Sequence, residues 1–459
     1  MNKKLIHAGI ALAILAIMQT CAPSTSQIKE PAAPKEEMLL AQKPPMGWNS
    51  YNCFGGNVTE AEVKANADYM AEHLKQFGWE YIVVDFLWYC DDQNSHEKFR
   101  NRRPHQYIDN HGRLIPSVKL HPSSEGGKGL KPLGDYIHSK GLKFGLHIMR
   151  GIARQAIAAN TPIKNSPAKA GEIANLPDTC IWYGGLAGVN MTKEGAQEYY
   201  NSLFELYAEW GVDYIKVDDI VFPYHADEID AVRKAIDNCG RPMVLSLSPG
   251  PAFIGNPKHL QANANMWRIS GDFWDKWEAL KRQLELCRDW APHVTEGHWP
   301  DADMLPLGKL NIRTELKDHP VRTTNFTRDE QYFLMTLWSI FRSPLMFGGN
   351  LPDNDEFTTS LITNEEVIRV NQNSTGNREI SFKDGISIWM AEDKENKANY
   401  IAILNVSDKT ADATLTPALL NVSEQATIRD LWKKSDAGYL GNSMTVSIPA
   451  HGAVLYSFK

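Results

Sequence analysis

Cysteine is scarce in this chain of 459 residues. There are six, Cys21, Cys53, Cys90, Cys180, Cys239 and Cys287, with no Cys-x-x-Cys and no paired Cys/His spacing. That argues against a zinc site and against a disulfide scaffold; the one pairing left open is Cys53 with Cys90, both just past expected strand ends. A basic excess is missing too: 48 Lys and Arg face 55 Asp and Glu, a net charge of −7, so no surface advertises itself to phosphate backbones. The longest apolar run, Ile10 to Met18, is too short to cross a bilayer. No glycine-rich dinucleotide loop follows the first strand, and no phosphate-binding loop or Ser-His-Asp order stands out. With 43% hydrophobic residues the chain is not disordered.

What the chain does contain begins with a leader. Lys3 and Lys4 precede the Ile10–Met18 run, so residues 1–21 read as an export signal. Met18-Gln19-Thr20-Cys21 resembles a lipoprotein processing site, in which Cys21 becomes lipidated. The expected location is the periplasm, or a membrane-anchored lipoprotein, of a bacterium. Residues 22–43, rich in Pro, Ala, Ser, Lys and Glu, read as a flexible tether.

From Pro44 a grammar repeats in which a helical stretch ends at glycine and a short apolar strand follows. Thr59 and Glu62 form a capping box opening a helix that runs to Gly78, and Tyr81 to Asp85 comes next. Gly141, Gly211 and Gly240 introduce Phe144–Ile148, Tyr214–Asp218 and Met243–Leu247 in the same way. Pro45–Asn49, Met266–Ile269, His298–Leu305 and Leu345–Phe347 complete eight strands, the last after a helix capped by Thr327 and Glu330. Continuous apolar strands alternating with helices predict an α/β fold, a (β/α)8 TIM barrel over residues 44–372. Beyond it the period becomes two, and Asp384-Gly385 between alternating runs marks a hairpin. Residues 375–459 therefore read as a small C-terminal antiparallel β-sandwich.

In a barrel, chemistry sits on loops at the carboxyl ends of strands. The residues to weigh there are Trp48, Tyr51, Asp85, His147, Lys216, Asp218, Asp219, Ser246, Ser248, Arg268, Asp272, Asp301, Asp303 and Asn350. An acid at such a position often only caps the next helix. Six acids on four strands mean more, because like charges converging on one mouth repel unless a cation or substrate compensates. Lys216 and Asp218, two apart on a strand, point to one side, and the lysine keeps the aspartate ionised as a nucleophile requires. Arg268 and Asp272 bring a second, loop-borne carboxyl, and two carboxyls in different environments are the equipment of glycoside hydrolysis. Asp85 with His147 and His298 is a weaker, metal-binding alternative; neither metal nor cofactor is expected. Of the 13 Trp, 16 Tyr and 16 Phe, Trp48, Tyr51, Phe86, Trp88 and Trp267 are placed to wall a sugar pocket, and Trp210, Trp277, Phe333 and Trp338 to pack helices.

Pro44-Pro45-Met46-Gly47-Trp48-Asn49-Ser50-Tyr51-Asn52, Tyr214–Asp218, Trp299-Pro300-Asp301-Ala302-Asp303-Met304-Leu305 and Arg342-Ser343-Pro344-Leu345 together resemble glycoside hydrolase family 27, the α-galactosidases and α-N-acetylgalactosaminidases. The resemblance runs from about Pro44 to the C-terminus. It implies a retaining exo-α-glycosidase acting on terminal galactose-type sugars of an oligosaccharide or glycoconjugate. It matches Asp218 to the nucleophile and Asp272 to the acid/base, with the two carboxyls roughly 5–5.5 Å apart. By the same likeness Trp48, Tyr51, Asp85, His147, Lys216, Ser248 and Arg268 hold the sugar, and Asp303 supports the site.

Departures from the family pattern leave the sugar open. The second of a usual aspartate pair is Phe86, so one hydroxyl contact is lost or passes to Asp91 or Asp92. A usual tyrosine is His147, and a frequent tryptophan is Tyr51. Ser246-Leu247-Ser248-Pro249-Gly250 replaces a glutamate-bearing loop and leaves room for an N-acetyl group. α-N-Acetylgalactosaminidase and β-L-arabinopyranosidase activities therefore stay open, as does, more remotely, a sugar-binding protein that no longer reacts. Nucleic acid is not an expected partner, and a membrane is expected only through a lipid on Cys21.

Overall fold

The structure is a computed structural model that describes residues 40–91, 103–313 and 320–459. The expected export segment, Cys21 and nearly all of the tether lie outside the described residues. Among the described residues no helix is long and apolar enough to cross a membrane.

Eight short parallel strands form one sheet: β1 Met46–Asn49, β2 Tyr81–Val84, β3 Lys143–Met149, β4 Tyr214–Asp218, β5 Val244–Leu247, β6 Met266–Arg268, β7 Trp299–Asp301 and β8 Leu345–Phe347. Neighbours follow chain order from β1 to β7, and β8 pairs with β1. The cylinder closes where Leu305, just past β7, bridges to Phe347 in parallel, with the Leu305 N–H donating to the Met346 carbonyl at 2.8 Å. Nearly every strand residue is buried, as expected when side chains fill the barrel inside and helices cover it outside.

A helix follows each strand: α1 Glu60–Tyr69, α2 Lys131–Ser139, α3 Ala196–Glu209, α4 Ala226–Asn238, α5 Pro257–Asn263, α6 Trp277–Trp290, α7 Arg328–Phe341, and the pair α8 Glu356–Ile362 and α9 Glu365–Asn373. The caps work as their residues dictate. The Thr327 N–H donates to Glu330 Oε2 at 2.8 Å, and Thr327 Oγ1 accepts from the Glu330 N–H at 3.2 Å. The β3–α3 connection is the exception to the simple grammar. It carries a small antiparallel sheet of Ile152–Ala153, Ala174–Asn175 and Leu186–Val189 on the rim of the barrel.

The C-terminal part has eight antiparallel strands: β9 Thr375–Lys383, β10 Ile386–Asp393, β11 Ala398–Asn405, β12 Ala411–Leu415, β13 Thr427–Asp430, β14 Ser435–Tyr439, β15 Met444–Ile448 and β16 Ala453–Phe458. Six form one sheet in the order β9-β10-β11-β16-β13-β14, and β12 pairs with β15 in a second. Positive φ at Asp384 (53°) and Gly385 (79°) makes the expected tight hairpin between β9 and β10. Inward residues Ile388, Ile401, Ile403, Leu415 and Ile448 form the sandwich core. On the opposite face of the large sheet, Trp389, Ala402, Leu404 and Leu455 join the barrel's hydrophobic core. The central strands are thus buried on both faces. Trp277 of α6 stacks on His451 at 3.8 Å between ring centres, tying the two parts together.

No disulfide forms among the described cysteines, Cys53, Cys90, Cys180, Cys239 and Cys287, so Cys53 is not bridged to Cys90. Cys53 lies on a helical turn with its thiol directed at the Ser50 carbonyl, 3.5 Å away.

Gly47 has a specific steric duty, since a Cβ there would lie 2.5 Å from the Tyr81 carbonyl oxygen in the neighbouring strand. Gly47→Ala is expected to destabilise the fold by about 1–3 kcal/mol through forced strand separation, read as a lowered Tm in thermal denaturation.

Candidate active site

The carboxyl ends of β2, β4, β6 and β7 carry the charges. Asp85 closes β2 and is buried; its Oδ2 accepts from Lys216 Nζ at 3.0 Å and from Asn49 Nδ2 at 2.7 Å. Burial alone would push the Asp85 carboxyl up, but the Lys216 ammonium and the Asn49 amide hold it far below the ordinary carboxylate range. Lys216 stays protonated despite its burial because Asp85 and Asp218 face it.

Asp218 ends β4. Its Oδ2 accepts from His147 Nε2 at 3.1 Å, and its Oδ1 accepts from the Asp219 N–H at 2.9 Å. Burial raises its pKa, and these two donors with Lys216 more than offset that, so Asp218 is held ionised below its ordinary value. An ionised, doubly hydrogen-bonded carboxylate at the floor of a cavity can attack an electrophilic carbon.

The second carboxyl has the opposite setting. Asp272, on the β6–α6 loop, is 66% exposed at its side chain, against 13% for Asp218. Beneath it the Arg268 guanidinium lies 3.5 Å from Asp272 and 2.6 Å from Asp303. Asp303 also accepts from the Phe273 N–H at 2.7 Å, pinning the Asp272 loop to β7. Burial, reinforced by the like charges of Asp272 and Asp301, outweighs Arg268 and pushes Asp303 up to about 7. Asp301 stands behind, accepting from the Asp303 N–H at 2.9 Å.

These groups border one cavity of about 240 Å³, small enough for a single sugar ring. Asp85, Lys216, Asp218, Asp272 and Asp303 all line it, as do Tyr51 and Phe86. The sequence reading missed Asn52, Trp182, Pro249, Gly250, Phe273, Trp274 and Met304 on the wall. Trp182 comes from the loop between the second and third strands of the rim sheet and meets Phe86 edge-on at 5.5 Å. The aromatic pair Trp182-Tyr183 before Gly184-Gly185 was its only signal.

Other expected sugar contacts are reassigned. Trp48 does not line the cavity: it is fully buried and donates to the Gly349 carbonyl at 2.8 Å. Trp88 donates to the His147 carbonyl and packs on Trp210, while Trp267 packs on Trp290, so both are core. Ser248 is buried outside the cavity, with Pro249 and Gly250 presented in its place. His147 and Arg268 stand behind the wall, holding Asp218 and Asp303. Asn350 turns away to the α1 side, accepting from Asn66 at 2.8 Å. His298 precedes β7, at the opposite end of the barrel from Asp85, and meets the Ala264 carbonyl, so the His147–His298–Asp85 metal arrangement does not assemble. Asp91 accepts from Tyr107 and Ser117 and does not line the cavity; Asp92 lies outside the described residues.

A (β/α)8 barrel whose mouth holds two carboxyls of contrasting exposure over a one-sugar cavity, followed by a β-sandwich, defines a glycoside hydrolase. The family models agree: "Alpha galactosidase A" matches residues 184–373, and "Alpha galactosidase C-terminal beta sandwich domain" matches 383–458. A family 27 β-L-arabinopyranosidase from Geobacillus stearothermophilus is 50% identical over 91% of this chain and 97% of its own, with a TM-score of 0.88. A Bacillus halodurans structure, whose α-N-acetylgalactosaminidase assignment is itself only a proposal, is 44% identical over 91% and 97%, with a TM-score of 0.81. Alpha-galactosidase A of Cellvibrio japonicus is 26% identical over 98% of this chain and 97% of its own length. The chain belongs to glycoside hydrolase family 27.

The His147 bond makes a pH prediction. A carboxylate attacks only when ionised, so a reaction carried by Asp218 falls off as pH drops through its pKa. His147→Phe removes a donor that lowers that pKa, so the acid limb of kcat/KM is expected to move to higher pH. kcat/KM at neutral pH should fall by about 10–100-fold, the value of a hydrogen bond to a charged group. A pH–rate profile on an aryl glycoside checks both.

Proposed function

We propose that the enzyme is a retaining exo-glycosidase for terminal sugars of galacto configuration and that β-L-arabinopyranosides are its preferred substrates. β-L-Arabinopyranose has the ring and hydroxyl arrangement of α-D-galactopyranose without the exocyclic hydroxymethyl group. The observation that carries this preference is Phe86. It lines the cavity beside Asp85, packed edge-on against His147, Trp182 and Tyr183 at 5.0 to 5.6 Å. An apolar ring there has no hydrogen bond to give an exocyclic hydroxyl, and leaving such a group unpaired on burial costs affinity. The 50% identity to a named β-L-arabinopyranosidase supports the same reading.

In the proposed reaction the Asp218 carboxylate attacks the anomeric carbon while Asp272 gives its proton to the departing oxygen. The C–O bond to the aglycone breaks as a glycosyl ester to Asp218 forms. Asp272, now ionised, takes a proton from water, which attacks the same carbon and releases Asp218, so two inversions leave the configuration retained. Lys216 and Asn49 hold Asp85 as an ionised acceptor for sugar hydroxyls.

Turnover of 4-nitrophenyl β-L-arabinopyranoside, α-D-galactopyranoside and α-N-acetylgalactosaminide tests this. The arabinopyranoside should have the largest kcat/KM, by about 10-fold or more over the galactoside, and proton NMR should show the retained anomer first. Asp218→Ala should lose at least about 10⁴-fold in kcat, and Phe86→Asp should shift the ratio towards galactoside. A faster galactoside reaction in the wild type refutes the preference; full activity of Asp218→Ala refutes the mechanism.

Export and lipidation of Cys21 belong to the same proposal, supported by Lys3, Lys4 and the apolar run before Cys21. The full chain should partition with membranes and Cys21→Ala should not, which fractionation and immunoblotting will show.

A further inference from the structure

We infer that Arg150 is a positioning residue for the nucleophile: it braces the Asp218–Asp219 peptide unit, whose N–H donates to the Asp218 carboxylate. This rests on the proposed role of Asp218 and extends it to a residue that does not touch the cavity.

Arg150 follows β3 and is buried. Three of its atoms grip the end of β4. Its backbone N–H donates to the Asp218 carbonyl at 2.9 Å, its Nε to the Asp219 carbonyl at 2.7 Å, and its Nη2 to Asp219 Oδ2 at 2.9 Å. Asp219 has φ of 59°, a conformation that costs a non-glycine residue roughly 1–2 kcal/mol and persists only where the surroundings impose it. In that conformation its N–H lies 2.9 Å from Asp218 Oδ1, the oxygen that His147 does not serve. The Asp218 carbonyl and the Asp219 N–H belong to one planar peptide unit, so the Arg150 contacts to the carbonyls on either side of Asp219 fix the tilt of that unit, and a changed tilt would leave half of the nucleophile's hydrogen bonding unmet.

The far side of the guanidinium is fixed by Asp178, in the loop between the second and third strands of the rim sheet, at 2.8 and 2.9 Å, and by Glu228 of α4, at 2.6 Å. Glu228 is itself locked by the Val189 N–H at 3.0 Å and the Tyr200 hydroxyl at 2.7 Å. Asp178, His225 and Glu228 offer donor atoms within 4.8 Å of one another, a spacing a cation could use. The Arg150 guanidinium already occupies both carboxylates, so they act as its counter-ions. Two carboxylates beyond Asp219 are more than one cation needs for charge balance, and they fix its plane as well as its position.

Arg150→Lys keeps the charge and loses the planar fork. Sugar binding to the cavity, read by calorimetry with L-arabinose, should change by less than about 3-fold, while kcat on the aryl arabinopyranoside falls by about 10–100-fold, the worth of a hydrogen bond to a charged group. The acid limb of kcat/KM should move to higher pH. The ionisable groups facing Asp218 are His147, Lys216, Arg268, Cys180, Asp219 and, across the cavity, Asp272, and none of these is altered. Asp219→Gly provides a second variant that accepts positive φ: it keeps the N–H but loses the carboxylate that Arg150 grips, and because it also removes a like charge beside Asp218 its readout is kcat, which should fall less strongly than in Arg150→Lys while sugar affinity stays within about 3-fold. The inference is overturned if a folded Arg150→Lys keeps kcat within about 2-fold with an unmoved acid limb. It is equally overturned if sugar affinity and kcat fall together, or if Arg150→Lys does not fold and Asp219→Gly keeps kcat within about 2-fold. Asp218→Ala separates the two levels: an inactive Asp218→Ala beside a fully active Arg150→Lys removes only this inference, whereas an active Asp218→Ala removes the nucleophile itself.

Discussion

Everything at the mouth of this barrel depends on buried cations standing among carboxylates. Asp85, Asp218, Asp219, Asp301 and Asp303 crowd the ends of three strands, and without compensation most would take up protons. Lys216 and Arg268 reach in from β4 and β6, and Arg150 from the end of β3. Their placement is uneven. Lys216 sits between Asp85 and Asp218, and both are held ionised. Asp303 shares Arg268 with Asp272 and Asp301 and rises to about 7; Asp219, beside Asp218, rises to about 6 although it touches Arg150. One mouth therefore contains carboxyls held ionised beside carboxyls able to keep a proton.

The barrel scaffold was readable because its signals are local. Glycine ends a helix, an apolar run follows, and the eight runs from Pro45 to Phe347 all became barrel strands. The place of Asp85 and Asp218 on the cavity was readable for the same reason, since residues that terminate apolar runs must lie at one end of the cylinder. Contacts made across the barrel were not readable. Whether Trp48 faces sugar or core depends on Gly349, some 300 residues away, and no periodicity reports that. Trp88 and Trp267 failed similarly: a tryptophan beside a strand end can point into the mouth or back between helices. His147 was placed on the sugar because it stands where a side chain could reach one, whereas it points along the sheet to Asp218.

The rim sheet after β3 was invisible for a different reason. Its strands are two to four residues long, too short for alternation to register. Yet the loop between its second and third strands supplies Trp182 to the cavity wall and Asp178 to Arg150. Irregular connections carry chemistry in barrels of this kind, and periodicity is least informative where the chemistry is.

The large sheet of the sandwich has one face in its own core and the other in the barrel's, through Trp389, Ala402, Leu404 and Leu455. A sheet with two apolar faces has no water-compatible side to show if its neighbour is removed. The border near residue 374 is therefore a change of architecture without being a place where the molecule can be divided. A barrel expressed without its last 85 or so residues would uncover an oily flank on α7, and the sandwich alone would display the matching one. Exchanging this segment between relatives means exchanging a wall of the enzyme, and the side chains on both sides of that wall must travel together.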